Sequence, residues 1–533
     1  MHKIKENFAT GAIVLAVGGI ICKVLGAVYR IPLTNALGAE GIGLYQLVYA
    51  VYAVFIVLSS GGITPAVSRL VAEDLAVGLS GRRHVKVGVI VSALASLIAA
   101  IMLLILNGNI AKLQGNADSS LGYMIIAPSV FFVGLSSVMK GYFQGRLNMF
   151  PTTISNLVEQ IVKIGLGLGL AFYLVKTDVL YALYGTLLAV TVSEFLSCVY
   201  LVVSFLIDRR KTRKQLSANS LRTDERYKNG ELKKFLTTAL PFAFLAIALP
   251  MSSFIDSFMI VNLLKRGMTV QMATANYGVF SGQVTTLVNM PIMVLLSLAV
   301  AIVPSVSKGR AERDLDGVLL KTKLSIKLCL LIGAPIALFM LVFSREIMAI
   351  LYPRLDSAAL GLGSSLLVIM SPSIVTMSLA EVLGAINSAL DKTYYSALSM
   401  LLGVAVKTLI VLTTTFKLGI MAAAIGNLAL SVVALMINGL ILTRQIGYRR
   451  ETIKGIGLIM LGSVFIALIS LLNKMIFVNI YLQLALSVVV GGMTYFFIVT
   501  ALDVFTVDET NSLPMSKFLL KTRSRLRFWD GEA

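Results

Sequence analysis

Ionised side chains within long apolar runs are where this sequence is equipped to do chemistry, because a charge in the middle of a membrane helix is costly and marks a substrate or ion pathway. Glu159 and Lys163 stand four residues apart in the run from 152 to 175. On a helix they share one face, with the acid on the N-terminal side, the favourable order. Lys407 lies in the run from 395 to 416, Lys23 and Arg30 in the run from 8 to 30, and Asp256 in the run from 236 to 261. Two readings of the lysines follow. Either Lys163 and Lys407 line a cavity, or Glu159 and Lys163 neutralise one another and Lys407 meets backbone carbonyls. Arg30, near the outer end of its run, reads equally as a cavity residue and as one whose head group snorkels to the interface. Asp256 suits a coupling cation, sodium or proton, or a lysine partner. Glu194 and Glu381 are weaker candidates, and Lys327, close to the end of its run, reads as snorkelling.

The chemistry on offer is charge-based binding and not bond-making. The sequence contains no P-loop, no zinc-spaced Cys or His set and no nucleophile–base pair in a loop, so no enzyme activity and no cofactor is expected. What remains is a coupling cation or the membrane potential as the energy source. His2 and His84 are the only histidines and lie outside the apolar runs, too few for a His-rich metal site or a His-based proton relay. Cys22, Cys198 and Cys329 fall inside apolar runs, which predicts reduced, buried thiols.

The elements that must position these residues are membrane helices. A hydrophobic fraction of 57% with 14% charged residues lies outside the soluble globular range. Runs long enough to cross a bilayer recur along the whole chain, which predicts an all-α polytopic membrane protein. Fourteen spans are expected: 8–30, 42–63, 85–106, 121–143, 152–175 and 179–206, then 236–261, 277–305, 323–343, 364–388, 395–416 and 419–443, and finally 454–474 and 480–502. The segments TPAVSRLVAE, ending at Glu73, and VPSVSKGRAE, ending at Glu312, align Pro65 with Pro304, Ser68 with Ser307, Arg69 with Lys308 and Glu73 with Glu312. Such a match at the ends of two apolar spans points to a duplication. It predicts an N-terminal six-helix bundle over 1–207, a basic cytoplasmic linker over 208–235, a second bundle over 236–445, and two added helices with a basic tail over 446–533. Lys163 and Lys407 then lie in equivalent spans. Each is roughly 11 residues in, about 16 Å at 1.5 Å per residue, near the midplane of a core roughly 30 Å thick.

Loop charge gives orientation. Lys and Arg gather in alternate loops, among them Arg69, Arg82, Arg83, Lys140, Arg146, Arg209 to Lys234, Lys308, Arg310 and Arg444 to Lys454. The other loops hold one or two each, such as Lys112, Lys176, Lys417 and Lys474. Because positive loops stay inside, both termini are expected to be cytoplasmic. The net charge of +20 is thus explained by loop placement beside anionic lipid, and no nucleic-acid partner is expected.

The segments LGAEGIGLYQL, TPAVSRLVAE and KGYFQGRLNMFPTTISNLVEQIVKI resemble the polysaccharide-transporter branch of the multidrug/oligosaccharidyl-lipid/polysaccharide exporter superfamily, near the stage V sporulation protein B group and the Gram-positive lipid II flippases. The resemblance runs over nearly the whole chain. It implies two six-helix bundles around a cationic cavity with alternating access, in a bacterial cell membrane. It also implies an undecaprenyl-pyrophosphate-linked glycan as the substrate, lipid II or a polysaccharide repeat unit, and cell-wall synthesis machinery as a partner. Lys23-Val-Leu-Gly matches a first-helix motif whose basic residue lines the cavity in that family, and Arg30 lies within one position of a second such cation. Asp256 matches a seventh-helix acid that binds sodium in some members, whereas the eleventh span lacks the accompanying acid. The second span also lacks an arginine between Gly43 and Gly61, so the substrate contacts there differ from the Gram-negative type. A pyrophosphate needs fixed cations, which amines at Lys23, Lys163 and Lys407 supply in a low-dielectric site. A drug exporter for cations would call for acids in those places.

Overall fold

The computed structural model describes residues 2–77, 79, 81–215, 230–446, 451–501, 504, 505 and 509. The basic tail residues Lys517, Lys521, Arg523, Arg525 and Arg527, the linker segment 216–229, and Arg449 and Arg450 lie outside them. The described residues form helices with no strands among them, so the protein is all-α and polytopic.

The elements follow the apolar runs closely. Helix α1 spans His2–Ser60 and holds the first two expected spans, divided only by Gly38, whose φ of 70° breaks the helical path. Glycine reaches that conformation without a Cβ penalty. Next come α2 (Ile63–Ala76), α3 (Arg82–Gln114), α4 (Ser120–Gly145), α5 (Phe150–Leu174) and α6 (Val179–Gln215). The seventh span is two helices, α7 (Glu231–Ala246) and α8 (Ala248–Leu264), with Pro241 and Pro250 on either side of the break. The eighth is α9 (Val270–Tyr277), a π-helical segment over Gly278–Val284, and α10 (Thr285–Ala311). The rest are α11 (Leu315–Val342), α12 (Ser344–Leu351), α13 (Ser357–Met370), α14 (Ser373–Ala389), α15 (Thr393–Leu418), α16 (Met421–Ile446), α17 (Glu451–Ile476) and α18 (Ile480–Ala501). Among the described residues, eleven helices are long and apolar enough to cross a membrane, or up to twelve with α13 and α14, bent by 43°, taken as one span. The expectation of fourteen counted α1 as two spans and the broken α7–α8 pair as one.

The chain divides into two compact units, residues 1–283 and 284–533. In the first, α5 packs on α6, α3 on α4, and α4 on α6. The α3–α4 seam has the pattern expected in lipid. Gly88, Ser92 and Ser96 are buried, and a Cβ at Gly134 would stand 2.7 Å from Ser96 Cβ, while Ile90, Leu94, Ile98 and Ile105 face outward. With lipid as apolar as leucine, small residues give helices their close approach. Helix α7 joins this unit through Phe235, fully buried among Val67, Val71, Val85, Val138 and Phe143. Helix α9 lies so near α1 that a Cβ at Gly43 would come within 2.1 Å of the Thr274 carbonyl oxygen.

In the second unit α15 packs on α16, α10 on α14, and α11 on both α10 and α17. Lys327 of α11 departs from the snorkelling expected of it. Its Nζ donates to Glu509 Oε2 at 2.6 Å and to the Val504 carbonyl at 2.9 Å, with both charged side chains buried. The ammonium cannot reach water because the chain after α18 folds back over it, which the sequence pattern of α11 alone does not show.

The duplicated motif has the same local outcome in each unit. Arg69 pairs with Glu73 at 3.0 Å, and Lys308 pairs with Glu312 at 3.6 Å, each at i, i+4 spacing.

Candidate functional site

In the first unit, α5 presents Glu159 and Lys163 to α1. Lys163 Nζ lies 3.3 Å from Glu159 Oε1, so the ion pair of the second reading is made, and Gln160 Nε2 donates to the same oxygen at 3.2 Å. Lys163 is 9% exposed. Across from it, α1 carries Tyr45 and Tyr49, with ring centroids 5.4 Å apart and stacked, and the Arg30 guanidinium sits 5.8 Å from the Tyr49 ring centroid. Tyr49, Tyr45 and Glu194 of α6 are all within electrostatic reach of the Lys163 ammonium. Arg30 is therefore placed over an aromatic face in the same cluster, a cation–π arrangement in general worth roughly 0.5–2 kcal/mol. Lys23 follows Cys22 on α1, and the Cys22 thiol is within electrostatic reach of Glu159 and Lys163. The side chain of Lys23 itself lies outside the described residues.

The tyrosines are the residues that charge-based reading of the sequence missed. Their signal is present, since Tyr45, Tyr49 and Tyr52 recur at helical spacing in the second apolar run. Tyr29 and Tyr52 add buried hydroxyls that lack a hydrogen-bond partner. Of the three α5 glycines Gly165, Gly167 and Gly169, only Gly167 is closely packed, where a Cβ would stand 2.5 Å from the Tyr29 hydroxyl.

In the second unit Lys407 of α15 is 3% exposed, and Gly426 of α16 lies against it, with a Cβ there only 3.0 Å from Lys407 Cγ. The two lysines have matching surroundings within their own units. Lys163 follows Ser155 by eight residues, as Lys407 follows Ser399. Ser155 accepts from Ser197 of the next helix at 3.3 Å, and Ser399 accepts from Asn438 of the next helix at 2.8 Å. One buried polar contact two turns before each lysine fixes the same depth along the helix in both units.

Asp256 is elsewhere in the first unit. It is buried on α8, within electrostatic reach of Tyr277. Its neighbour Ser257 accepts from Gln114 Nε2 at 2.8 Å, and the same amide donates to the Leu47 carbonyl at 3.1 Å. Asn116 donates to Thr274 Oγ1 at 2.9 Å, and Gln46 to the Ser281 carbonyl at 3.1 Å, within the π-helical segment. This network joins α1, α3, α8 and α9, and Asp256 is placed beside it. Cys22, Cys198 and Cys329 are buried free thiols, as expected. No group of three or more His, Cys, Asp or Glu able to hold a metal occurs among the described residues.

Comparison with known proteins finds relatives by sequence and by fold. Stage V sporulation protein B of Bacillus subtilis (strain 168) is 28% identical over 431 residues, covering 79% of this chain and 81% of that protein. Lipid II flippase MurJ of the same organism is 24% identical over 453 residues, covering 82% and 83%. Among solved structures, lipid II flippase MurJ in an inward closed conformation matches with a TM-score of 0.71 at 14% identity, covering 92% of this chain and 98% of that one, which shows a shared fold. Residues 8–310, more than half of the sequence, match the family described as polysaccharide biosynthesis protein, and the chain belongs to that family.

Proposed function

We propose that the protein is a flippase for an undecaprenyl-pyrophosphate-linked cell-wall precursor, lipid II in the first instance, moved from the cytoplasmic to the outer leaflet by alternating access. The observation that carries this reading is buried Lys163 beside half-buried Arg30 and the stacked tyrosines, with a second buried lysine, Lys407, at the equivalent place in the other unit's sequence. Fixed cations in a low dielectric favour a diphosphate, and tyrosine faces suit a sugar ring or the cations that flank it. The relatives named as a stage V sporulation protein and a lipid II flippase support the same substrate class. In this reading Lys163 and Lys407 are each substrate-binding residues of their own unit, Glu159 balances Lys163, and Asp256 takes a coupling cation, sodium or proton. The six-plus-six division at the 208–235 linker, cytoplasmic termini, a bacterial cell-membrane location and contact with cell-wall synthesis machinery belong to the same proposal. Its polyprenyl tail stays in the bilayer while the head group crosses, and no bond is made or broken.

A second reading, export of lipid-linked polysaccharide repeat units, is favoured by the family description. Reconstitution into vesicles separates the two. Labelled lipid II and several other lipid-linked glycans are supplied, and the arrival of each head group on the far leaflet is followed. Lipid II flipping is the expected result, whereas transport of the polysaccharide units alone selects the second reading.

A further inference from the structure

His84 stands in the first turn of α3, where the sequence alone places it outside the membrane and gives it no role. It is 3% exposed, and carboxylates flank both of its ring nitrogens. Its Nδ1 lies 3.1 Å from Glu231 Oε2 of α7, and its Nε2 lies 3.5 Å from Asp74 Oδ2 of α2. Both Nδ1 and Glu231 Oε2 are buried without a hydrogen-bond partner. A neutral imidazole has one N–H and one lone pair, so it can donate to only one of these acids. The other ring nitrogen then sets its lone pair against a carboxylate oxygen in a poorly solvated place, an unfavourable contact. A second proton removes the conflict, because the imidazolium donates on both sides.

We propose that His84, Asp74 and Glu231 form a proton-binding site that clasps the start of α7 to α2 and α3. The proton enters from solvent, since the Asp74 and Glu231 side chains are 14% and 23% exposed. It settles on Nδ1, and no other bond changes. Most of the remaining charges around His84 are paired or face solvent, while Arg82 Nη2 is buried without a hydrogen-bond partner. On α2, Glu73 pairs with Arg69 at 3.0 Å and with Lys234 of α7 at 3.1 Å. On α3, Arg83 lies 3.6 Å from Glu231 Oε1, leaving Oε2 to face the imidazole, and Arg82 adjoins it in sequence. From α4, Tyr142 and Arg146 are held by Asp208 of α6, at 2.7 and 3.5 Å. Lys86 and Lys233 face solvent.

The consequence is mechanical. Below the clasp, α7 is held by Phe235 and by the close approach of Gly62, where a Cβ would come within 2.0 Å of the Ala239 carbonyl. Loading the proton tightens α7 onto α2 and α3, and releasing it leaves two carboxylates facing an imidazole that satisfies one. Histidine is suited to such a change because its ring can carry one N–H or two. A single histidine at the end of a bundle is no relay through the membrane; it senses the proton concentration on one face.

The test is hydrogen–deuterium exchange on the full-length protein in nanodiscs, without substrate, from about pH 5.5 to about pH 8.5 and corrected for intrinsic rates. Protection of the start of α7 is expected to fall on the order of tenfold as the imidazole loses its proton. His84→Gln should abolish that dependence. Glu231→Gln and Asp74→Asn keep His84 but remove one acceptor, and each should leave less than half of it. The proposal is overturned if protection in the unmodified protein is independent of pH, or if His84→Gln or both acid variants keep the full dependence. Because the readout needs no substrate, failure to flip any tested glycan leaves this result untouched.

Discussion

At the scale of single residues, the buried charges were legible because a Lys or Glu within an apolar run cannot be mistaken for loop polarity. Lys163 and Lys407, expected within membrane helices, are both buried on long helices, α5 and α15. The side chains around Asp256 were not legible. Gln114 meets Ser257 across 143 positions and Gln46 meets the Ser281 carbonyl across 235, and no local spacing encodes such pairs. Lys163→Gln and Lys407→Gln should each weaken binding of a lipid-linked pyrophosphate by about 1.5–3 kcal/mol, the worth of a charge-assisted contact. A double variant that falls short of the sum would show that the two lysines share a ligand, and additive losses would show that they do not. Lys163→Gln also strands Glu159, so adding Glu159→Gln should restore part of the loss. Titration of purified single and double variants measures all of these, and normal binding by Lys407→Gln would exclude the paired-lysine site. For Asp256→Asn, transport by vesicles should lose its dependence on a sodium or proton gradient while head-group binding survives. Unchanged gradient dependence returns Asp256 to a structural role.

At the scale of elements, hydropathy located the apolar helices but not their ends, since α3 runs on to Gln114 where the expected span stops at 106, and α11 starts at Leu315 where it begins at 323. The breaks were harder to see. Helix α1 continues through what reads as two spans and a Gly-rich turn, since a single residue at positive φ, Gly38, is enough to redirect it. Helix α2 went unrecognised because its 14 residues are amphipathic and too short to span. Glycine spacing alone also failed to tell close contacts from open surface. A Cβ at Gly43 would meet the Thr274 carbonyl at 2.1 Å, whereas at Gly165 it would meet nothing within 4 Å. Gly43→Ala should therefore push α9 from α1 and destabilise the protein by about 1–3 kcal/mol. Gly165→Ala should be neutral or raise stability by about 0.5–1 kcal/mol through helix propensity. Thermal unfolding of the two variants in the same detergent separates these outcomes.

At the scale of the whole molecule, the ten-residue repeat proved informative beyond its length. Its two copies form the same i, i+4 ion pair, and each of the two lysines follows a buried serine contact at the same spacing. The division into compact units at 283 was not legible, because α7 and α8 join the first unit through Phe235 and the Gln114 network, contacts made far along the chain. The proposed orientation rests on the alternation of basic loops. Cysteines placed at Lys112, Lys176 and Lys474 should react with an impermeant thiol reagent added to intact cells. Those at Lys214, Arg310 and Arg450 should react only after permeabilisation. The reverse pattern would invert the topology.

The buried pair of Lys327 and Glu509 has a consequence for how the protein is made. The two residues are 182 positions apart, so at about 5–20 residues per second the ribosome needs on the order of ten to forty seconds between them. Throughout that interval the newly inserted α11 carries an ammonium without its carboxylate. A message cut short after α18 therefore yields a chain whose α11 holds one uncompensated charge, an arrangement that typically costs about 3–5 kcal/mol. Neutralising the Lys327 ammonium in the second unit thus waits on residues translated after α18.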